Sequence, residues 1–170
     1  GVSVSWRADE MSFMEDFEWR VYYQYKRDER RWNDGTGREG YARTDTYSTD
    51  AQASTDLGAG HILTYGVHAH IDYGESADDE QFTYTDPKPE RADAPDTEWL
   101  NLAAFALDEW SISDHFTLNL SLRYDWFQFE SKETSTYQPA GGDRDADFFT
   151  DSIGALTGGI GATWKIDPNW

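Results

Sequence analysis

The sequence contains no cysteine, which excludes a disulfide framework, a thiol nucleophile and a cysteine-ligated zinc site. Basic residues are scarce as well: 14 Lys and Arg face 33 Asp and Glu in 170 residues, a formal net charge of −19. A surface of that sign repels phosphate and no run of Lys or Arg offsets it, so nucleic acid is not an expected partner. No apolar run approaches the roughly 18 residues of a membrane helix. The opening stretch Gly1 to Trp6 has no initiator Met, basic segment or apolar segment; it reads as a mature protein or a piece of a larger one, without a targeting peptide. Signatures of catalysis are missing too: there is no nucleophile elbow, Gly-rich phosphate loop or His-Glu-x-x-His helix. The many carboxylates permit a glycosidase pair but do not locate one. No enzyme and no catalytic residue are expected.

What is abundant points elsewhere. A mean hydropathy of −0.81 taken alone suggests a soluble or disordered acidic chain. An aromatic content of 16%, with 8 Trp and 10 Tyr, speaks against disorder and calls for a place to bury or anchor rings.

Period-two alternation, the mark of a half-buried strand, supplies that place. From Phe17 to Lys26, the residues Phe17, Trp19, Val21, Tyr23 and Tyr25 share one parity and Glu18, Arg20, Tyr22, Gln24 and Lys26 the other. The same division runs through Ile62 to Tyr73, through Phe116 to Trp126 and through Leu156 to Ile166. Weaker strands are expected over Val2 to Arg7, about Tyr41 to Thr55, and Trp99 to Trp110. The last is apolar on both parities, so a helix over Glu98 to Glu109 stays open as its alternative.

Connections alternate in length. Short turns are expected near Phe13 to Asp16, Leu57 to Gly60, Ser113 to His115 and Asp167 to Asn169, and long polar loops over Asp28 to Gly40, Gly74 to Asp96 and Glu130 to Ser152. Short-long alternation describes an antiparallel up-and-down meander of about seven long strands, and membrane barrels combine short periplasmic turns with longer extracellular loops. Rings test the idea: Trp6, Phe17, Trp19, Trp110, Phe116 and Trp164 fall near the short turns, while Tyr23, Tyr25, Tyr47, Tyr73, Trp99, Tyr124 and Trp126 fall toward the long loops. These are expected to form two belts at headgroup level, bounding an apolar band that meets lipid.

Four runs then carry a resemblance. Leu63-Thr64-Tyr65-Gly66-Val67, Ala104 through Trp110 (AFALDEW), Leu118 through Asp125 ending Leu122-Arg123-Tyr124-Asp125, and Gly158 through Trp164 (GGIGATW) resemble the barrel of TonB-dependent outer-membrane receptors, in order and spacing, over about residues 41 to 170. The segment from Asp45-Thr46-Tyr47 through His61-Ile62-Leu63-Thr64-Tyr65-Gly66-Val67 is most similar to receptors for haem and haem proteins; receptors for catechol siderophores share much of the pattern. The resemblance implies an open segment of a transmembrane β-barrel whose parent has about 22 strands, a bacterial outer-membrane location, and uptake of haem or a ferric siderophore with energy from TonB. It implies as partners the outer-membrane lipid, a plug domain, TonB and the remaining strands. Residues 1–170 are expected to be a partial barrel domain without plug or TonB box, holding no permanent cofactor. Two alternatives stay open: a small standalone barrel of roughly eight strands acting as an adhesin or structural protein, and a soluble acidic carbohydrate-binding β-protein.

Candidate residues follow from the apolar-out frame. Arg20, His68, His70, Arg123, Asp125 and Lys165 point to the lumen, where a plug or ligand would meet them; the His-x-His-x-Asp spacing of His68, His70 and Asp72 is also one that presents imidazoles to a metal or haem iron. Loop aromatics Trp32, Phe82, Tyr84, Tyr137, Phe148 and Phe149 are candidates to stack on a flat ligand or to pack the loops together. Between Ser76 and Glu98 eight carboxylates outnumber two cations, a loop that either stays solvated or attracts cations. Asp143, Asp145 and Asp147 open like a calcium loop, but Phe148 and Gly154 stand where an EF-hand needs Gly and Glu, so that motif fails and no metal site is assigned.

Overall fold

In a computed structural model, which describes residues 1–11, 14–31, 39–79, 94–132, 134, 137 and 148–166, the chain forms seven strands. They are β1 (Val2–Met11), β2 (Met14–Arg31), β3 (Glu39–Gly58), β4 (His61–Asp79), β5 (Asp96–Ser113), β6 (Phe116–Lys132) and β7 (Thr150–Trp164). They make one sheet in sequence order, each antiparallel to the next. The all-β meander is as expected, and β5 is a strand rather than the alternative helix.

Strands outrun the alternation that announced them. β2 continues to Arg31 and β4 to Asp79, so the loops expected from Asp28 and Gly74 start later; β6 likewise reaches Lys132, and β7 begins at Thr150. The cause is visible in the register: Arg27 pairs with Arg43, Glu29 with Tyr41 and Arg43 with Glu75. There the ladder goes on while both faces turn polar. β7 ends at Trp164, short of the expected Ile166.

The turns close tightly at one end. Gly58, Ala59 and Gly60 have φ of 77°, 53° and 83°, the left-handed region that favours glycine. At Gly60 a Cβ would lie 2.6 Å from the carbonyl oxygen of Ser111, whose own N–H donates to the Gly60 oxygen at 2.7 Å. The Gly58 N–H is taken by the Asp56 carboxylate at 2.7 Å. Bulges at Asp56/Gly58 and Ser111/Ser113 flank these hairpins and raise the local twist. The expected turn over Asp167 to Asn169 lies outside the described residues.

Because directly paired residues share a face, the register sorts the sheet into two. One face carries Val4, Val21, Ala69, Leu102 and Trp126 in one cross-strand row, and Trp6, Trp19, Ala51, Val67, Ala104, Tyr124 and Leu156 in the next. It is bare: Val4 is 67%, Leu156 67% and Ile160 77% exposed. Among the described residues only Ala53 and Ala103 are buried apolar side chains, so no second layer provides a core, and an apolar solvent has to cover this face. The stretch of β5 from Leu100 to Trp110 rises about 33 Å, at roughly 3.3 Å per residue, and spans about 25 Å at a barrel strand's tilt.

One ring leaves its expected belt. Trp99 pairs with Asp72 and Phe129, which places it on the polar face. Its strand is apolar on both parities, so alternation alone could not orient it. The other belt residues lie on the apolar face by register.

Candidate functional site

The polar face gathers five of the six residues expected to line the lumen. Arg20, Asp50, His68, Ala103 and Asp125 fall in one cross-strand row, and Tyr22, Ser48, His70 and Asn101 in the row beside it. His68 Nδ1 lies 2.6 Å from Asp50 Oδ1 and His70 Nε2 3.1 Å from Asp72 Oδ2. The two imidazoles stack at 6.1 Å with 18° between planes. Thr46 donates its hydroxyl to Asp72, fixing that carboxylate.

Each arginine of the patch is clamped by a neighbour two residues away on the same strand, since i and i+2 share a face. Arg123 Nε and Nη2 donate to the two oxygens of Asp125, both at 2.7 Å. Arg20 holds Glu18 in the same way at 2.9 Å. Such bidentate pairs fix the guanidinium plane. The result is a pre-organised polar wall carrying both signs, suited to hydrogen-bond a protein surface or a polar ligand. Lys165 stands apart: it lies beyond β7, its N–H donating to the His115 carbonyl at 2.8 Å near the short turns. Among the described residues no group of three or more His, Cys, Asp or Glu is arranged to hold a metal ion.

Toward the long loops the same face changes character. Trp99 stands 6.0 Å from Phe127 and 6.2 Å from Phe129, and Phe129 is 5.5 Å from Phe149. Phe149 is 54% and Trp99 44% exposed, so the cluster offers ring faces instead of burying them. Its backbone is held by the Ser131 N–H, which donates to the Phe149 carbonyl at 2.9 Å. Tyr137 and Phe148 meet edge to face at 6.1 Å. Of the loop aromatics expected from sequence, Phe149 thus joins a cluster and Tyr137 and Phe148 pair with each other; Trp32, Phe82 and Tyr84 lie outside the described residues, as do Asp143, Asp145 and Asp147.

Trp99, Phe127 and Phe129 were not expected in this place. A signal for two of them exists in the sequence: Phe127 and Phe129 share the parity of Arg123 and Asp125, and rings on the polar parity of a membrane strand have no lipid to face. A further ring on this face, Phe105, lies over Gly66, where a Cβ would come within 2.7 Å of it and 2.5 Å of the Ala51 oxygen. That ring covers a glycine and is part of the wall.

Comparison with known proteins agrees with this architecture. A family model described as TonB dependent receptor-like, beta-barrel, matches residues 1–170. Among solved structures, that of a protein named Copper transporter OprC superposes with a TM-score of 0.77 at 16% identity, covering 98% of this chain and 27% of that one; the likeness is one of fold, and the chain spans about a quarter of that protein's length. No curated protein matches the sequence. The match over the whole chain sets aside the soluble carbohydrate-binding alternative, because barrels of this family lie in the bacterial outer membrane. An apolar face that no described residue covers and a polar face that carries the charges are what a barrel wall between lipid and lumen requires, and the chain belongs to the β-barrel family of TonB-dependent receptors.

Proposed function

We propose that the chain forms part of the barrel wall of a receptor that takes up an iron chelate, haem or a ferric siderophore, with energy supplied through TonB. The aromatic cluster of Trp99, Phe127, Phe129 and Phe149 at the long-loop end of the lumen carries this reading. A conjugated macrocycle or catecholate presents flat faces that exposed rings bind by offset stacking, each contact contributing about 0.5–1.5 kcal/mol. In this reading Tyr137, Phe148 and Phe149, with Trp32 and Tyr84, belong to the ligand-binding loops. Arg20, His68, His70, Arg123, Asp125 and Lys165 face the plug, and residues 1–170 are a partial barrel domain whose plug and remaining strands lie elsewhere in the receptor.

Copper uptake is the second reading. It draws on the stacked His68 and His70 and on the likeness in fold to a copper transporter. One experiment separates the two. The complete receptor is expressed in a strain lacking other uptake routes, and growth is followed under iron restriction on haem or a ferric catecholate, and under copper restriction on copper. Trp99→Ala with Phe129→Ala is expected to weaken chelate binding by about 1–3 kcal/mol, slowing growth on the aromatic chelate, and to leave copper-dependent growth unchanged. Loss of copper-dependent growth in His68→Ala with His70→Ala, with chelate uptake intact, selects the second reading.

A further inference from the structure

On the outward face, past the long-loop end of the apolar band, lies a cavity of about 650 Å³. Arg43, Asp45, Tyr47, Tyr73, Asp96 and Lys132 are among the residues that line it. By register Arg43, Asp45 and Tyr47 share the parity of Val21 and Ala51, and Lys132 that of Leu122 and Trp126. The cavity therefore opens toward the membrane and not toward the lumen, running from the belt rings Tyr47 and Tyr73 to the row of Arg43 and Glu75 beyond them. In a barrel whose longer loops are extracellular, that level is the headgroup layer of the outer leaflet.

Its chemistry is mixed in a definite way. Arg43 donates from Nε to Asp45 at 2.8 Å and from Nη1 to Glu75 at 3.0 Å, using two of the five donors of a guanidinium. Its side chain stays 42% exposed, 5.5 Å above the ring of Tyr25. Lys132 pairs with Glu98 and stands 5.9 Å from the centroid of Tyr73, 41% exposed. Asp96, at the loop end of β5 beyond the belt, has its carboxyl pushed up by burial, with the charge of Glu75 adding to the effect. The cavity thus offers two cations, several carboxylates and tyrosine faces.

We propose that this cavity binds the phosphorylated-sugar headgroup of the outer-leaflet glycolipid. Phosphate oxygens meet Arg43 and Lys132 in charge-assisted hydrogen bonds. Sugar hydroxyls donate to Asp96, Glu75 and Asp45, and the C–H face of the ring lies on Tyr73. A simple phospholipid headgroup fits less well: it brings no flat face to the tyrosine and fills only a fraction of the volume. The receptor is thereby tied to its leaflet at the mouth of the barrel by a contact independent of the ligand carried in the lumen.

The test uses the complete receptor purified in detergent, with purified lipopolysaccharide as probe and retained glycolipid read by native mass spectrometry. Arg43→Gln with Lys132→Gln is expected to reduce retention about tenfold, while Lys132→Arg keeps it and Tyr73→Leu lowers it by a smaller factor. Lumen-facing Lys26→Gln, whose ammonium pairs with Asp28 at 2.9 Å, is expected to change nothing. Heat-modifiable mobility confirms that each variant is a folded barrel. Undiminished retention in the double variant overturns the proposal. So does displacement of the glycolipid by inorganic phosphate or phosphatidylethanolamine at equal concentration, which would reduce the cavity to a general phosphate or phospholipid contact.

Discussion

The two faces of the sheet share one backbone and one set of ladder hydrogen bonds, yet they are organised by opposite rules. On the lipid face Val67, Leu122, Leu156 and Ile160 are each more than half exposed, because the partner is a fluid solvent that needs only to find no charge. On the lumen face, side chains are locked pairwise: His68 to Asp50, Arg123 to Asp125, Arg20 to Glu18. The lipid face therefore tolerates changes of shape and rejects changes of polarity; the lumen face does the reverse.

The hardest blow to this contrast is a charge placed among the lipid-facing rows. Leu122→Arg is expected to destabilise the refolded receptor in lipid vesicles by about 2–4 kcal/mol, the cost of a cation near the midplane, whereas Ser121→Arg next to it but on the lumen face costs under about 1 kcal/mol. Equal losses in urea titrations would erase the distinction. Next comes shape on the lumen face. Gly66→Val drives a side chain into the Ala51 carbonyl and the Phe105 ring and is expected to cost about 1–3 kcal/mol, while Gly161→Ala, where a Cβ meets only the Asn119 Cβ at 3.9 Å, is close to neutral.

A smaller effect probes the border between the rules. Asp108 lies on the lipid face near the short-turn belt, paired with Leu63 and Leu120, and is held by His61 at 2.9 Å; His61 in turn stacks on Trp110 at 4.9 Å and 15°. His61→Leu leaves that carboxylate without its partner at the membrane interface and is expected to cost about 1 kcal/mol, restored by the further change Asp108→Asn. Smallest of all is Lys26→Gln, which removes an ion pair exposed on both sides and is expected to shift stability by less than about 0.5 kcal/mol.

Much of this fold was legible in the sequence because lipid imposes period two wherever it touches a strand. Phe17 to Tyr25 and Leu63 to Tyr73 could be oriented residue by residue on that ground. Where lipid stops, the signal stops, although the strand continues: Glu29 and Glu75 are paired in the ladder in stretches that are polar on both sides, so their segments read as loop. Trp99 shows the other failure, a strand apolar on both faces whose orientation is settled only by its neighbours. That Arg20, His68, His70, Arg123 and Asp125 share the polar face was readable from parity alone. The meeting of Trp99 with Phe129 and Phe149 depends on a register across β5, β6 and β7 that no local pattern contains.

The strictly sequential order of the strands has one more consequence. Since every strand hydrogen-bonds only to its neighbours along the chain, any hairpin can be inserted or removed without re-pairing the rest. The circumference of such a wall is thus adjustable in steps of two strands, and with it the bore of the pore. Lumen chemistry and pore size are then separate variables: one is written in the inward parity of each strand, the other in how many hairpins are strung together.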